Sequence, residues 1–334
     1  MEWLYNRVAG GLRRVAIACA LASLCAPALC ATAWAADPAG RKDSGSRKGE
    51  DKASDLRKSL DDDLPGALGW LRGSRLEITA TIPLTYNTLA TRPDSESGGG
   101  AKVDFHSNPE FALKWSKQFD HVRISATAAT GVDRYRQAHD VDMNVGVLSL
   151  KAYLTDGKSH IVTPYASYTS TREMARDYRD LYGIYNEAAI GFVTGIGFDE
   201  KGKRISSDDA TEDRNWAIDL DVKGGRRMSD YRPAVASFVV ADLTATYTLN
   251  KYWAFTANPN LRVRFHENYH DEFRRDVRLG MGLKAAWTPD WLTKIVPKSE
   301  INFVANYFNT ISNIPGKSTR NWEIGPTLVL SRKL

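Results

Sequence analysis

The chain has 334 residues, 43% of them apolar and 25% charged, with a formal net charge of +5. That is enough chain for one large domain or two small ones, and the mixed composition excludes a wholly disordered or collagen-like protein. The charge is spread along the chain, which gives no footing for nucleic-acid binding, and no second long apolar run points to a helical membrane protein.

Residues 1–35 read as a cleaved signal peptide. Arg7, Arg13 and Arg14 precede an uncharged apolar stretch from Val15 to Leu29, and the segment closes on Ala33-Trp34-Ala35. A positive flank, a short apolar run and a small-x-small exit are the marks of secretion, and the run falls below the ~20 residues of a spanning helix. Cys19, Cys25 and Cys30, the only cysteines, lie inside this segment. A mature chain cut after Ala35 therefore has no disulfide, no cysteine-ligated metal and no thiol nucleophile. Residues 36–70 carry Gly, Ser and interleaved charge with few large apolar side chains. Such a leader cannot bury enough surface to offset its ordering entropy, and an unstructured periplasmic segment is expected.

From residue 71 to 334 the dominant period is two, the signature of strands. Trp216, Ile218, Leu220 and Val222 alternate with Ala217, Asp219, Asp221 and Lys223; Val277, Leu279, Met281 and Leu283 alternate with Arg278, Gly280, Gly282 and Lys284. Marking every such run gives twelve: 75–87, 109–118, 121–132, 141–154, 160–171, 187–198, 213–223, 237–249, 251–265, 274–288, 299–310 and 320–332. Several are nine to thirteen residues long, against an ordinary strand of about five or six and a tilted spanning strand of about nine to eleven. Short gaps, such as 119–120 and Asn250, mostly alternate with longer polar ones, such as 88–108 and 172–186. That asymmetry suits short periplasmic turns and longer outer loops, although 199–212 and 289–298 depart from it. The expected fold is an all-β, antiparallel, up-and-down transmembrane barrel of twelve strands. A soluble barrel or sandwich is the competing architecture, and strand length argues against it.

Within such a barrel one phase faces lipid and the other the lumen. Tyr86, Trp115, Trp216, Tyr247, Trp253, Trp287, Tyr307 and Trp322 fall on the outward phase near run ends, as an aromatic girdle requires. The inward phase carries Arg75, Lys114, Arg123, Lys151, Lys223, Arg262, Arg264, Arg278 and Lys284, against Glu77, Glu110, Asp142, Asp219, Asp221, Asp242 and Glu323. These charges either form segregated walls with a transverse field that orients polar or anionic solutes, or pair across the lumen and close it. Arg262, Arg264, Arg278 and Lys284 sit on neighbouring strands, which favours a basic strip. Pro83, Pro164, Pro259 and Pro326 fall inside assigned strands, and a slip of phase at Val147-Leu148 suggests a bulge. Glycines on the inward phase, such as Gly195, Gly280 and Gly282, read as space left in a crowded lumen.

Two motifs suggest chemistry. His266-Glu267-Asn268-Tyr269-His270 matches H-E-x-x-H, in which a helix sets two histidines on one face to bind zinc. Here the motif follows a strand and is expected in a loop, where that spacing does not converge; His266 and His270 are the only metal-ligand candidates, and a polar loop tip is the favoured reading. His106-Ser107-Asn108 resembles the His-x-Ser-Asn neighbourhood of outer-membrane phospholipase A, which is also a twelve-stranded barrel. There the His and Ser are two apart on one face of a strand, whereas adjacent residues point to opposite faces.

The terminal run Leu328-Val329-Leu330-Ser331-Arg332-Lys333-Leu334 resembles the last strand of outer-membrane proteins, with leucine where those have phenylalanine. The resemblance, at the level of pattern, covers residues 75–334. It implies an outer-membrane location, lipid and lipopolysaccharide as surroundings, and the barrel-assembly machinery during biogenesis. By size the chain is similar to small barrels that pass acidic oligosaccharides or nucleosides, which implies a narrow channel for small hydrophilic solutes without a cofactor. A membrane-embedded hydrolase, or a plugged barrel acting through its loops, are the alternatives.

Overall fold

In the computed structural model, residues 73–89, 103–155, 162–178, 181–199, 204–205, 215–270 and 272–333 are described. The expected signal peptide and leader lie outside them. The strands are β1 (Arg75–Pro83), β2 (Thr85–Asn87), β3 (Asp104–Ser107), β4 (Glu110–Gln118), β5 (Val122–Tyr135), β6 (Met143–Leu154), β7 (Thr163–Ala175) and β8 (Leu181–Phe198). They continue as β9 (Arg204–Ile205), β10 (Trp216–Ser229), β11 (Ala236–Thr248), β12 (Trp253–Tyr269), β13 (Glu272–Trp287), β14 (Glu300–Ser312) and β15 (Thr319–Lys333). A six-residue helix, α1 (Asp290–Ile295), joins β13 to β14.

All pairings are antiparallel, and β1 hydrogen-bonds both β4 and β15, so the sheet closes on itself. The first two crossings are each broken in two, as β1–β2 and β3–β4, while β9 is a short addition to β8; twelve crossings result. Closure leaves the sheet without a free edge, as a spanning structure in lipid requires.

Register settles which phase faces where. On β11, Val239 is 49% exposed and its neighbour Val240 only 2%. Outward positions carry the exposed apolar side chains, among them Ile190, Leu261, Leu279, Leu283 and Phe303. The eight expected girdle aromatics all share that outward phase, and three pairs stack or tilt together across strands: Trp216–Tyr247 at 4.6 Å, Trp253–Trp287 at 6.0 Å and Tyr307–Trp322 at 4.7 Å. An apolar exterior with a polar, charged interior is the reverse of a soluble barrel.

Several expectations need correction. The gaps read as long outer loops are partly strand: β8 begins at Leu181, β10 runs to Ser229 and β12 to Tyr269. In Gly224-Gly225-Arg226-Arg227 both faces are charged or without a side chain, so alternation fades although the ladder continues. No bulge occurs at Val147-Leu148, where the register on both sides is unbroken; irregularities fall at Glu173/Met174 and at His266/Tyr269. Asp142 lies outside β6, in the turn before it, where its carboxylate accepts the Tyr135 N–H at 2.8 Å.

The prolines are accommodated individually. Pro83 ends β1 where the first crossing breaks, and Pro164 sits at the start of β7. Pro326 lies on β15 beside that break, where its carbonyl accepts the Leu84 N–H at 2.9 Å. Pro259 interrupts pairing between β11 and β12, and the Asn258 side chain donates to the Leu243 carbonyl at 2.9 Å in place of the missing N–H. Two inward glycines make room for a neighbouring strand rather than for solute. A Cβ at Gly225 would collide with the Ala188 carbonyl on β8, and one at Gly325 with the Leu84 carbonyl. Those close approaches divide the twelve crossings into two walls of six, β10–β15 and β1–β8.

Candidate functional site: the charged lumen

Consecutive pairings carry one face around the barrel, so each charged position can be placed. Glu77, Lys114, Arg123, Lys151, Asp219, Asp221, Lys223, Asp242, Arg262, Arg264, Arg278, Lys284 and Glu323 all share the inner phase. Arg75 and Glu110 lie on it too. They are not evenly distributed.

On β10–β13 the structure brings together Lys223, Arg227, Arg262, Arg264 and Arg278. Arg262 faces Arg278 directly across the β12–β13 pair. Arg262 is also within electrostatic reach of Arg227, Glu187 and Asp242, and Arg278 of Arg262, Glu323 and Asp242. Arg227 donates from Nε to Glu187 on β8 at 2.8 Å. The Arg278 guanidinium lies 3.9 Å from the centroid of the Phe308 ring on β14, an apolar and quadrupolar support that takes up no carboxylate.

Carboxylates gather beside this arc. Asp221 faces Asp242 directly across the β10–β11 pair. Tyr165 donates its hydroxyl to Asp221 at 2.5 Å from β7, beyond the intervening β8. Glu323 on β15 accepts from Asn321 at 3.1 Å, and Asp133 on β5 is within its electrostatic reach. Like charges directly opposite one another on paired strands are destabilising, so an arginine facing an arginine and an aspartate facing an aspartate are not what sheet stability selects.

The remaining predicted residues lie apart from the arc. Lys284 pairs with Glu300 at 3.6 Å, and Glu77 accepts from Ser331 at 3.0 Å. Arg123 lies over the Tyr153 ring at 4.7 Å and Lys151 over Tyr165 at 5.3 Å. Lys114 faces Thr127 on β5, and Asp219 faces Thr244 on β11. Sequence reasoning missed Arg227 and Glu187 as lumen residues. Continuing the period of two past Lys223 reaches Arg227, and register from Arg227 leads to Glu187.

Neither motif forms a reactive centre. His266 lies within β12 rather than in a loop and points inward, while Glu267 points outward and is held by Arg226 through two hydrogen bonds, at 2.5 and 2.8 Å. His270 follows with a left-handed φ of 50°. Alternation along a strand thus separates what a helix would bring together. Among the described residues no group of three or more His, Cys, Asp or Glu is placed to hold a metal. His106 shares the inner phase with Thr85, whose hydroxyl lies 3.0 Å from Nδ1, and stacks on Tyr135 at 4.9 Å. Ser107 turns away and donates to the Pro83 carbonyl at 2.7 Å, so the two do not form a nucleophile and base.

No family model matches the chain, and no curated protein does. Among solved structures it is similar to an outer-membrane channel from Pseudomonas putida F1, at 9% identity and a TM-score of 0.44, covering 78% of this chain and 96% of that one. It is also similar to the KdgM porin, at 8% identity and a TM-score of 0.37, covering 74% and 98%. A third is the translocator domain of the autotransporter NalP from Neisseria meningitidis, at 13% identity and a TM-score of 0.35, covering 84% and 95%.

Proposed function

We propose that the protein is a narrow outer-membrane channel for small hydrophilic solutes, with a preference for anions. The observation that carries this reading is the arc of Lys223, Arg227, Arg262, Arg264 and Arg278 on β10, β12 and β13, with carboxylates interleaved at Asp221 and Asp242 and flanking it at Glu187 and Glu323. A charged ring or arc in a pore selects by field, and segregation of signs lets a polar solute orient as it passes. Location in the outer membrane is supported by the apolar exterior and its aromatic girdle, and by the secretory character of the first thirty-five residues.

A plugged lumen is the second reading, favoured by one observation. Phe238 and Val240 point inward from β11 and pack with Ala189 of β8 into a small apolar cluster. Planar-bilayer recording of the refolded protein separates the two. Discrete ohmic steps are the expected result. Silence from the unaltered protein, with current appearing in Phe238→Ala or Arg262→Ala, assigns the plugged state and overturns the channel.

A further inference from the structure

On the lipid face of β10–β15 the outward side chains leave a groove of about 650 Å³, within the range of about 300–1,000 Å³ that small-molecule sites occupy. Ala245, Ala257, Ala285 and Ala305 supply its floor, one on each of β11 to β14. Phe255 and Phe303 stand on either side of Ala285 across its two strand pairs, and both rings are exposed. Farther along β12 and β13, away from the groove, the same phase carries Leu261, Val263, Leu279 and Met281. Hydrocarbon demands only that outward positions be apolar, so four alanines between aromatic rings are not dictated by spanning.

The groove lies toward the end where β1 starts and β15 finishes, the periplasmic end of an outer-membrane barrel. One outward position beyond Phe255 and Ala285, Trp253 and Trp287 stack at 6.0 Å and mark the headgroup level. Beyond them the connections 249–252 and 288–299 carry Lys251, Lys294 and Lys298 against Asp290 alone. Hydrogen bonds tie the two connections into one rim. The Tyr252 hydroxyl donates to Asp290 Oδ2 at 2.8 Å, Lys251 Nζ lies 3.7 Å from that oxygen, and the Thr288 N–H donates to the Tyr252 carbonyl at 2.8 Å. Helix α1 buries Leu292 and leaves Trp291 and Ile295 55% and 74% exposed, one turn apart. Exposed apolar side chains beside lysines are the composition of a segment seated at a lipid interface.

We infer that the groove holds one acyl chain of an anionic glycerophospholipid of the periplasmic leaflet, with its phosphate against the rim of Lys251 and Lys294. The acyl chain lies over Ala285 between Phe255 and Phe303, where its methylenes restore the contacts that the alanines leave unmade. An apolar floor does not distinguish one lipid from another. The lysines supply that choice, because a zwitterionic headgroup brings its own cation to the same rim. A second copy of the barrel would also cover an apolar wall, but a self-complementary interface sets this rim of lysines against itself. The inference rests on the fold and its two faces, not on conduction.

Native mass spectrometry of the full chain, refolded in detergent, tests the site with dioleoylphosphatidylglycerol and dioleoylphosphatidylcholine, which share both acyl chains. The expected result is saturable retention of a single phosphatidylglycerol per barrel, with phosphatidylcholine held more weakly. Lys251→Gln with Lys294→Gln is expected to weaken that retention roughly ten- to thirtyfold, the effect of two basic side chains at a membrane surface. Ala285→Phe with Ala305→Phe fills the floor and is expected to abolish it, whereas Ala128→Phe, on the outward phase of β5, leaves it unchanged. Heat-modifiable gel migration confirms that each variant folds. Equal retention of the two lipids, or retention of phosphatidylglycerol undiminished in the groove-filled variant, overturns the site. Lipid-free barrel dimers that the groove-filled variant no longer forms overturn it as well, and assign the wall to a second copy. Current is no part of this readout, so silent bilayers would overturn the channel and leave the lipid site standing.

Discussion

The two walls of the barrel obey the same rule of alternation and reach opposite chemistry. On β5–β7 the inner face is rich in small hydroxyl side chains, such as Ser125, Thr127, Ser149, Ser167 and Thr169, with Ser149 and Thr169 bonded to each other at 3.1 Å. On β10–β13 it is crowded with guanidinium, ammonium and carboxylate groups, some set against their own sign. Both satisfy the demand that polar groups face inward, but the first intersperses Arg123, Asp133 and Lys151 among hydroxyls whereas the second sets charges side by side. A lumen lined throughout like β5–β7 would satisfy the fold equally well. The charge on β10–β13 is therefore an addition to the architecture rather than a consequence of it.

That contrast predicts a graded response to mutation. The largest effect is expected at Glu187, whose removal leaves Arg227 without its carboxylate beside Arg262. Glu187→Gln should destabilise the barrel by about 2–4 kcal/mol, since breaking one half of a largely buried ion pair strands the other charge. Tyr165→Phe deletes the donor to Asp221 and should cost about 1–2 kcal/mol. On the hydroxyl wall, Ser149→Ala removes one of two mutually bonded hydroxyls and should cost less than about 1 kcal/mol. Denaturant titration in lipid vesicles, followed by tryptophan fluorescence, ranks the three. If Ser149→Ala proved as costly as Glu187→Gln, the two walls would not differ as described.

The same contrast extends to the outer face. Leu279 is 49% exposed on β13, next to the inward Arg278. Leu279→Arg places a charge in hydrocarbon and should cost about 2–4 kcal/mol near the membrane midplane. Thr81→Arg, on the inner phase opposite Glu110, should unfold at nearly the parent denaturant concentration. Equal penalties would contradict the assignment of the two phases.

The fold was largely legible in sequence because lipid imposes the alternation. Leu279, Met281 and Leu283 must be apolar, and Arg278 and Lys284 between and beside them mark the other face. Legibility failed where lipid stops imposing anything. Arg226 and Arg227 are both charged although one points outward and the other inward, so the strand through them gave no periodic signal and was read as loop. The motif at His266–His270 misled for a related reason: its residues lie in a strand extension, where Glu267 is free to be charged on the outward side. Nothing local distinguishes an inward glycine such as Gly280, which spares room for the Asn260 side chain, from one such as Gly225, which admits a neighbouring backbone. Arg262 and Arg278 were each legible, yet their facing one another depended on register, which neither strand encodes alone.

The central claim concerns the field of the arc, and reversal potential in a salt gradient across a planar bilayer tests it most directly. The account predicts that the parent channel favours chloride over potassium, and that Arg262→Glu with Arg278→Glu reverses the sign of the potential. A parent channel that favours potassium, or a double variant with unchanged selectivity, would contradict it.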